Sequence, residues 1–257
     1  MVKSLWIDKA MKKVDVILLC GGKGSRFQTI TQDLVPKSLY KVNGKELIRY
    51  SIEPLDFNNV GRLIFAVDHH AEALKTWVNK QNFPCPVFFS YQTEPGVRGA
   101  VTAALAHVAA DDFAVCNTDE IRIGMSFNHA LAAHQGNDGL ATMVTAPSSH
   151  LFYHRHITTD AQGHITDTVL NDPAYQHDTA TVRNVNIGFI FFRKTVVDWL
   201  DDTRGTDGSS VIDPLVEHGH MYAVHDPNIH YFNVGTRDEL TDAMAYLQLQ
   251  NARQLTR

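Results

Sequence analysis

Residues 14–44 read VDVILLCGGKGSRFQTITQDLVPKSLYKVNG. Val14, Val16, Ile17, Leu18, Leu19 and Cys20 make a short apolar run closed by Gly21 and Gly22. Such a run is the pattern of a strand buried on both faces of a mainly parallel sheet. The turn that follows lies at the functional edge of that sheet. Glycines at 21, 22 and 24 let backbone N–H groups approach a ligand with no Cβ in the way, and a row of them makes an anion-binding concavity. Ser25 and Arg26 end the turn, and Lys37 follows Pro36. Arg26 brings a planar, permanently charged fork and Lys37 a compact point charge. A glycine turn can also serve tight strand-to-helix packing alone, but two flanking cations favour a polyphosphate guest.

Two better-known phosphate signatures are absent. The dinucleotide fingerprint that would begin at Gly22 has Phe27 where its third glycine belongs, and Gly24 is followed by Ser25-Arg26 where a P-loop would need Lys-Ser/Thr. Neither a Rossmann dehydrogenase nor a P-loop kinase fits.

The bulk properties narrow the class. A chain of 257 residues holds one large α/β domain, or two small lobes sharing a sheet. A hydrophobic content of 44% and a charged content of 20% are ordinary for a globular protein. A net charge of −5 argues against nucleic-acid or anionic-membrane binding, so a phosphate must be met by local cations. No apolar run reaches the length of a membrane span, and residues 1–13 carry neither a sustained apolar core nor a small-residue cleavage site, so a cytoplasmic protein is expected. Cys20, Cys85 and Cys116 are widely spaced and odd in number, which favours reduced thiols over disulfides or metal ligands. The histidines, with close pairs at His69-His70, His154/His156 and His218/His220, lack the helical spacing of a zinc site and read as dispersed and solvated.

Strands are expected at 63–67, 87–91 and 113–116, alternating with helices over 69–80 and 100–110, which is the order of a doubly wound sheet. Past Asp119 the helices thin out, and strand candidates at 140–144, 165–170 and 187–192 are separated by polar stretches. The last helix, 238–249, would turn Leu240, Met244 and Leu247 inward. The expected fold is α/β, a Rossmann-like mixed and mainly parallel sheet with helices on both faces and a more antiparallel C-terminal half. Residues 12–257 would form a single domain, with a nucleotide-binding half over 12–135, an acceptor-substrate half over 136–257, and residues 1–11 as an extension.

GGKGSRF at 21–27 and PKSLYKVNGKELIRYSIEPL at 36–55 resemble the opening of the sugar-phosphate nucleotidyltransferases, a family that includes glucose-1-phosphate thymidylyltransferases and mannose-1-phosphate guanylyltransferases. GVRGAV at 96–101 looks like the family's segment near the nucleobase, CNTDE at 116–120 like its Asn-Gly-Asp segment, and FNVGTRDEL at 232–240 like its late Asp-Ile-Gly-Thr segment. The four motifs stand in family order. The resemblance implies a Mg2+-dependent transfer of a nucleotidyl group from an NTP to a small phosphorylated acceptor, with release of pyrophosphate. Arg26 would stabilise the departing pyrophosphate and Lys37 the α-phosphate or the acceptor phosphate. Asp119 would hold Mg2+, although an Asp closing a strand can also cap a helix. Gly21, Gly22, Gly24 and Ser25 would cradle the nucleotide, and Gln92 with the 96–99 loop would meet its base; Gly99 could instead cap the following helix. Asn186 and Gly188 resemble the Asn-Ala-Gly segment that lines the sugar pocket.

Two departures fall in the acceptor half. Asn233 stands where the family has a second metal-binding Asp, and Asn171-Asp172-Pro173 stand where many relatives have Glu-Lys-Pro at the sugar and its phosphate. A sugar 1-phosphate is therefore the leading acceptor, with two alternatives: a cytidylyltransferase acting on a non-sugar alcohol phosphate, which Ser25 would suit, and a nucleotide-binding regulatory subunit without turnover. A homo-oligomer is compatible with all three.

Overall fold

The computed structural model describes residues 11–21, 35–68, 70–92, 94–152, 154–176, 180–200 and 208–255. Gly22, Gly24, Ser25 and Arg26 lie outside the described residues. Strand β1 (Val14–Leu19) forms where the apolar run predicts it. Successive side chains of a strand point to opposite faces. Val16 and Leu18 accordingly join one buried cluster and Ile17 another, so β1 is covered on both sides. The buried Asp15 carboxylate accepts from the backbone N–H groups of Ala109 and Ala110 at 2.7 and 3.0 Å, which satisfies it. β2 (Lys41–Val42) and β3 (Lys45–Glu46) make a small antiparallel hairpin. Its turn is Asn43-Gly44, with φ of 52° and 80°, the pairing that a two-residue hairpin favours.

The chain continues through α1 (Leu47–Ile52), β4 (Val60–Val67), α2 (Ala71–Val78), β5 (Val87–Tyr91), α3 (Gly96–Ala104), β6 (Asp112–Asn117), β7 (Glu120–Ile123) and α4 (Phe127–Gly136). The second half adds β8 (Ala141–Ser148), β9 (His156–Thr159), β10 (Ile165–Val169), β11 (Arg183–Arg193), α5 (Ser209–Glu217), β12 (Met221–His225), β13 (His230–Asn233) and α6 (Arg237–Leu255). Nine of the described strands share one sheet. β1 lies between β4 and β6 and parallel to both, with β5 parallel beyond β4. Past β6 the sense changes: β11 runs antiparallel to β6, β8 and β9, and β10 antiparallel to β9. Helices α1, α2 and α4 cover one face and α3 and α5 the other. The mixed α/β sheet with a more antiparallel second half is thus present. A separate pair, β7 and β13, packs with α6 and α1 around Ile121, Val234 and Leu240.

Four expectations change in detail. α3 begins at Gly96, so Gly99 sits inside the helix and does not cap it; a Cβ there would collide with the Glu94 carbonyl. β11 begins at Arg183, because residues 183–186, three of them polar, pair with 145–148 of β8. On α6 the inward face is Leu240, Ala243 and Leu247, while Met244 is exposed. The histidines are not uniformly solvated: His134, His154 and His156 are buried. No helix among the described residues is long and apolar enough to cross a membrane.

His134 gives the fold a pH dependence. Its ring is 0% exposed, stacks on Phe191 at 5.6 Å, and shares a hydrogen bond with Thr142 Oγ1 at 2.9 Å. Burial, seconded by the nearby Arg193 charge, pushes its pKa down to about 3. The unfolded chain takes up this proton near pH 6.5, whereas the folded chain does not. Stability contributed by neutral His134 is therefore complete above about pH 6.5 and falls as the pH drops, by about 1.4 kcal/mol per unit while only the unfolded form is protonated. Unfolding curves of wild type and His134→Gln between pH 7 and 4 should converge with that slope. A constant separation would contradict it.

Candidate active site

The parallel strands β1, β5 and β6 end on the same edge, where an open α/β sheet takes its ligand. A cleft of about 310 Å3 lies there, lined by Gly21 after β1, Lys37, Gln92 after β5, Gly96 at the start of α3 and Asp119 after β6. Thr118 Oγ1 donates to the Leu19 carbonyl at 2.7 Å and fastens the ends of β6 and β1 together. Across the cleft Lys37 Nζ reaches Asp119 Oδ2 at 2.7 Å, with the two side chains 12% and 38% exposed. Burial alone would raise the Asp119 pKa. The Lys37 charge and hydrogen bond, with Arg122 behind, outweigh it and hold the carboxyl below the ordinary carboxylate range. Asp119 is an ionised group aimed at a ligand cleft. Gln92 Nε2 donates to Asp68 Oδ2 at 3.3 Å, which orients its amide at the rim. Gly99 is taken up by its packing against Glu94, while Gly96, Val97 and Ala100 of the same helix line the cleft.

A second cavity of about 290 Å3 abuts the first at Leu19, Val97 and Asn117. Asn186, Gly188 and Asn233 line it, as do His154 and Arg155. β11 carries an irregularity between Asn186 and Ile190. There Gly188 takes φ +61° and donates its N–H to Asn186 Oδ1 at 2.9 Å. A side chain at 188 would also collide with Glu120 and Asn117, so glycine is required twice over.

Beneath this bulge lies Arg122, a hub the sequence reading passed over. Its guanidinium donates to Glu120 Oε2 at 2.8 Å, to the Gly188 and Asn117 carbonyls at 3.0 and 3.1 Å, and to the Ile187 carbonyl at 2.5 Å. Glu120 Oε1 accepts from Asn117 Nδ2 at 2.8 Å. The available signal was the Glu120-x-Arg122 spacing, which places both charges on one face of a strand.

Asn171 does not line either cavity. It adopts φ 56°, and Asp172 Oδ1 accepts from Ala174 N at 2.9 Å to start a short turn at Pro173. Asn171-Asp172-Pro173 is a turn-forming segment here. Asn233 sits opposite Glu120 in the β7–β13 ladder, and the neighbouring Val234 N–H donates to the Asp119 carbonyl at 3.0 Å.

Residues 15–250 match the family model described as nucleotidyl transferase. The chain belongs to the nucleotidyl transferase family. The bifunctional protein GlmU of Exiguobacterium is 24% identical over 254 residues, covering 94% of this chain and 54% of its own. The D-glycero-alpha-D-manno-heptose 1-phosphate guanylyltransferase of Campylobacter jejuni is 29% identical over 96 residues, covering 37% of this chain and 43% of its own. The chain spans about half the length of the curated relatives it matches. Among solved structures, HddC from Yersinia pseudotuberculosis shares the fold with a TM-score of 0.72 at 20% identity, over 91% of this chain and 99% of that one.

No three His, Cys, Asp or Glu side chains gather as a metal cage among the described residues. Mg2+ needs no such cage, since it takes one or two carboxylates and completes its shell with phosphate oxygens and water. One half-exposed, ionised carboxylate beside a nucleotide-sized cleft suits that donor set, and Asp119 supplies it. Glu120 does not, being buried and committed to Arg122 and Asn117.

Proposed function

We propose that the protein transfers a nucleotidyl group from an NTP to the phosphate of a small acceptor, a sugar 1-phosphate being the leading class. The observation that carries this reading is the Lys37–Asp119 contact in a cleft that abuts a second cavity, which offers one space per substrate. The NTP would lie in the first cavity, with its base toward Gln92 and Gly96. The acceptor would lie in the second, against Asn186 and Gly188. Residues 12–135 would then form the nucleotide half and 136–257 the acceptor half.

An acceptor phosphate oxygen attacks the α-phosphorus, the bond to the β-phosphate oxygen breaks, and pyrophosphate leaves. This chemistry needs in-line positioning and positive charge on the phosphoryl oxygens more than proton transfer. Lys37 brings that charge, and Asp119 holds its ammonium in place. Mg2+, when bound at Asp119 with Asn233 as a second donor, would neutralise further phosphate charge. Arg26 is assigned to the departing pyrophosphate.

The test incubates the protein with each NTP, Mg2+ and a panel of sugar and alcohol phosphates and follows pyrophosphate. Release with a sugar 1-phosphate is expected. Release confined to alcohol phosphates would move the acceptor to that class, and tight NTP binding without release from any pair would make the protein a regulator.

A further inference from the structure

The structure assigns the recognition of an acceptor oxyanion to Arg155, on the reading that the second cavity is the acceptor site. Arg155 precedes β9, lines that cavity and is only 7% exposed. A guanidinium has five N–H donors. Nη1 spends both of its hydrogens, on Thr168 Oγ1 and Asp213 Oδ1, each at 2.7 Å. Nη2 donates to Ser209 Oγ at 2.7 Å. No described residue accepts from Nε or from the second Nη2 hydrogen, and Nε with Nη2 is the edge whose parallel N–H bonds match a carboxylate or phosphate bidentately.

The other buried basic side chains around this cavity are spent. Arg122 is enclosed by carbonyls and Glu120, and His154 is held between Glu239 Oε1 at 3.0 Å and Ser148 Oγ at 3.3 Å. Among the described residues, Arg155 is therefore the cation that keeps unused donors at this cavity. It answers the departure at 171–173, where no lysine is present. Its three partners on β10 and α5 hold the guanidinium in a fixed plane, so little rotamer entropy remains to be lost when a ligand docks. The oxyanion is either the acceptor phosphate or a carboxylate on the acceptor body, two sources of one chemistry.

The test compares Arg155→Gln, Arg155→Lys and Asp213→Asn in the full chain. With a pair that turns over, Arg155→Gln is expected to raise the acceptor KM about tenfold or more, the scale of a lost charge-assisted bond, and to leave the NTP KM within about twofold. Arg155→Lys keeps the charge without the fork and should recover only part of the loss. Asp213→Asn removes the charged tie to α5 but keeps the fork and its Ser209 contact, so its acceptor KM should stay within about twofold of wild type. If Arg155 only braces α5, Arg155→Gln and Asp213→Asn will shift both KM values alike, and the assignment falls. It also falls if Arg155→Gln leaves the acceptor KM unmoved. An Arg155→Gln loss equal for acceptors with and without a carboxylate assigns the fork to the phosphate, and a loss confined to carboxylated acceptors assigns it to the acceptor body. Should wild type release no pyrophosphate with any pair, the transfer reading fails separately. Titration of inorganic phosphate into wild type and Arg155→Gln then decides the fork: weaker binding by the variant upholds it, and equal binding overturns it.

Discussion

Asp119→Ala is expected to lower kcat/KM for nucleotidyl transfer by about two to three orders of magnitude, the scale of removing one preorganised electrostatic group. Two effects combine. Lys37 loses the carboxylate that holds its Nζ at 2.7 Å, and the cleft loses the ionised oxygen suited to a divalent cation. The fold should survive, because the contact from Val234 reaches the Asp119 backbone carbonyl and the side chain is partly exposed. Pyrophosphate release and thermal unfolding measured together separate the effects, and a folded variant with near-wild-type turnover would remove Asp119 from the chemistry. The pH profile carries a further sign. Lys37 holds the Asp119 pKa below the ordinary carboxylate range against the opposing effect of burial. Activity that needs the carboxylate is therefore present above that depressed pKa and lost only as the pH falls through it. In Lys37→Ala burial acts unopposed by that charge, so whatever activity remains should show its acid limb at higher pH.

Arg122→Met is expected to be the most destabilising single change near the site. It leaves Glu120 buried without its cation, and breaking such a pair from one side costs about 3–5 kcal/mol. For a chain of this size that is a fall in Tm of roughly 10 °C. The carbonyls of Asn117, Ile187 and Gly188 lose their donor at the same time, so the bulge presenting Asn186 should loosen and the acceptor KM should rise. The double variant Glu120→Gln/Arg122→Met removes the orphaned charge and should recover part of the lost stability, as expected when the penalty comes from an unpaired ion. A fall of less than about 2 °C in Arg122→Met would show that the hub is not needed to hold the bulge.

These variants also mark where sequence reading ran out. β1, β4 and β6 were legible because burial on both faces writes an apolar signal into the local sequence. Lys37 and Asp119 were legible as members of ordered motifs. Their direct contact was not, since nothing local links positions so far apart. The strand over 183–186 was hidden because its polar residues are held by pairing with β8, which local hydrophobicity does not report. His154 carries the composition of a solvated loop residue, yet it is buried because Glu239 comes from the far end of the chain to meet it. Asn171-Asp172-Pro173 displayed a missing lysine. The replacement we propose could not be sought in the sequence, because Arg155 lines the second cavity only once β9, β10 and α5 have packed together.

The sequence by itself determined the start of the fold: a buried parallel strand, a glycine-rich stretch after it, and the order of the motifs that follow. Those are short-range patterns, set by burial and backbone geometry within a few residues. The tertiary structure alone decided the second cavity, around which Arg122, Arg155, His154 and Gly188 take their meaning from partners many residues away. A buried charge is tolerated only when folding brings it a counter-charge or hydrogen-bond partners, and that pairing is a property of the packed chain.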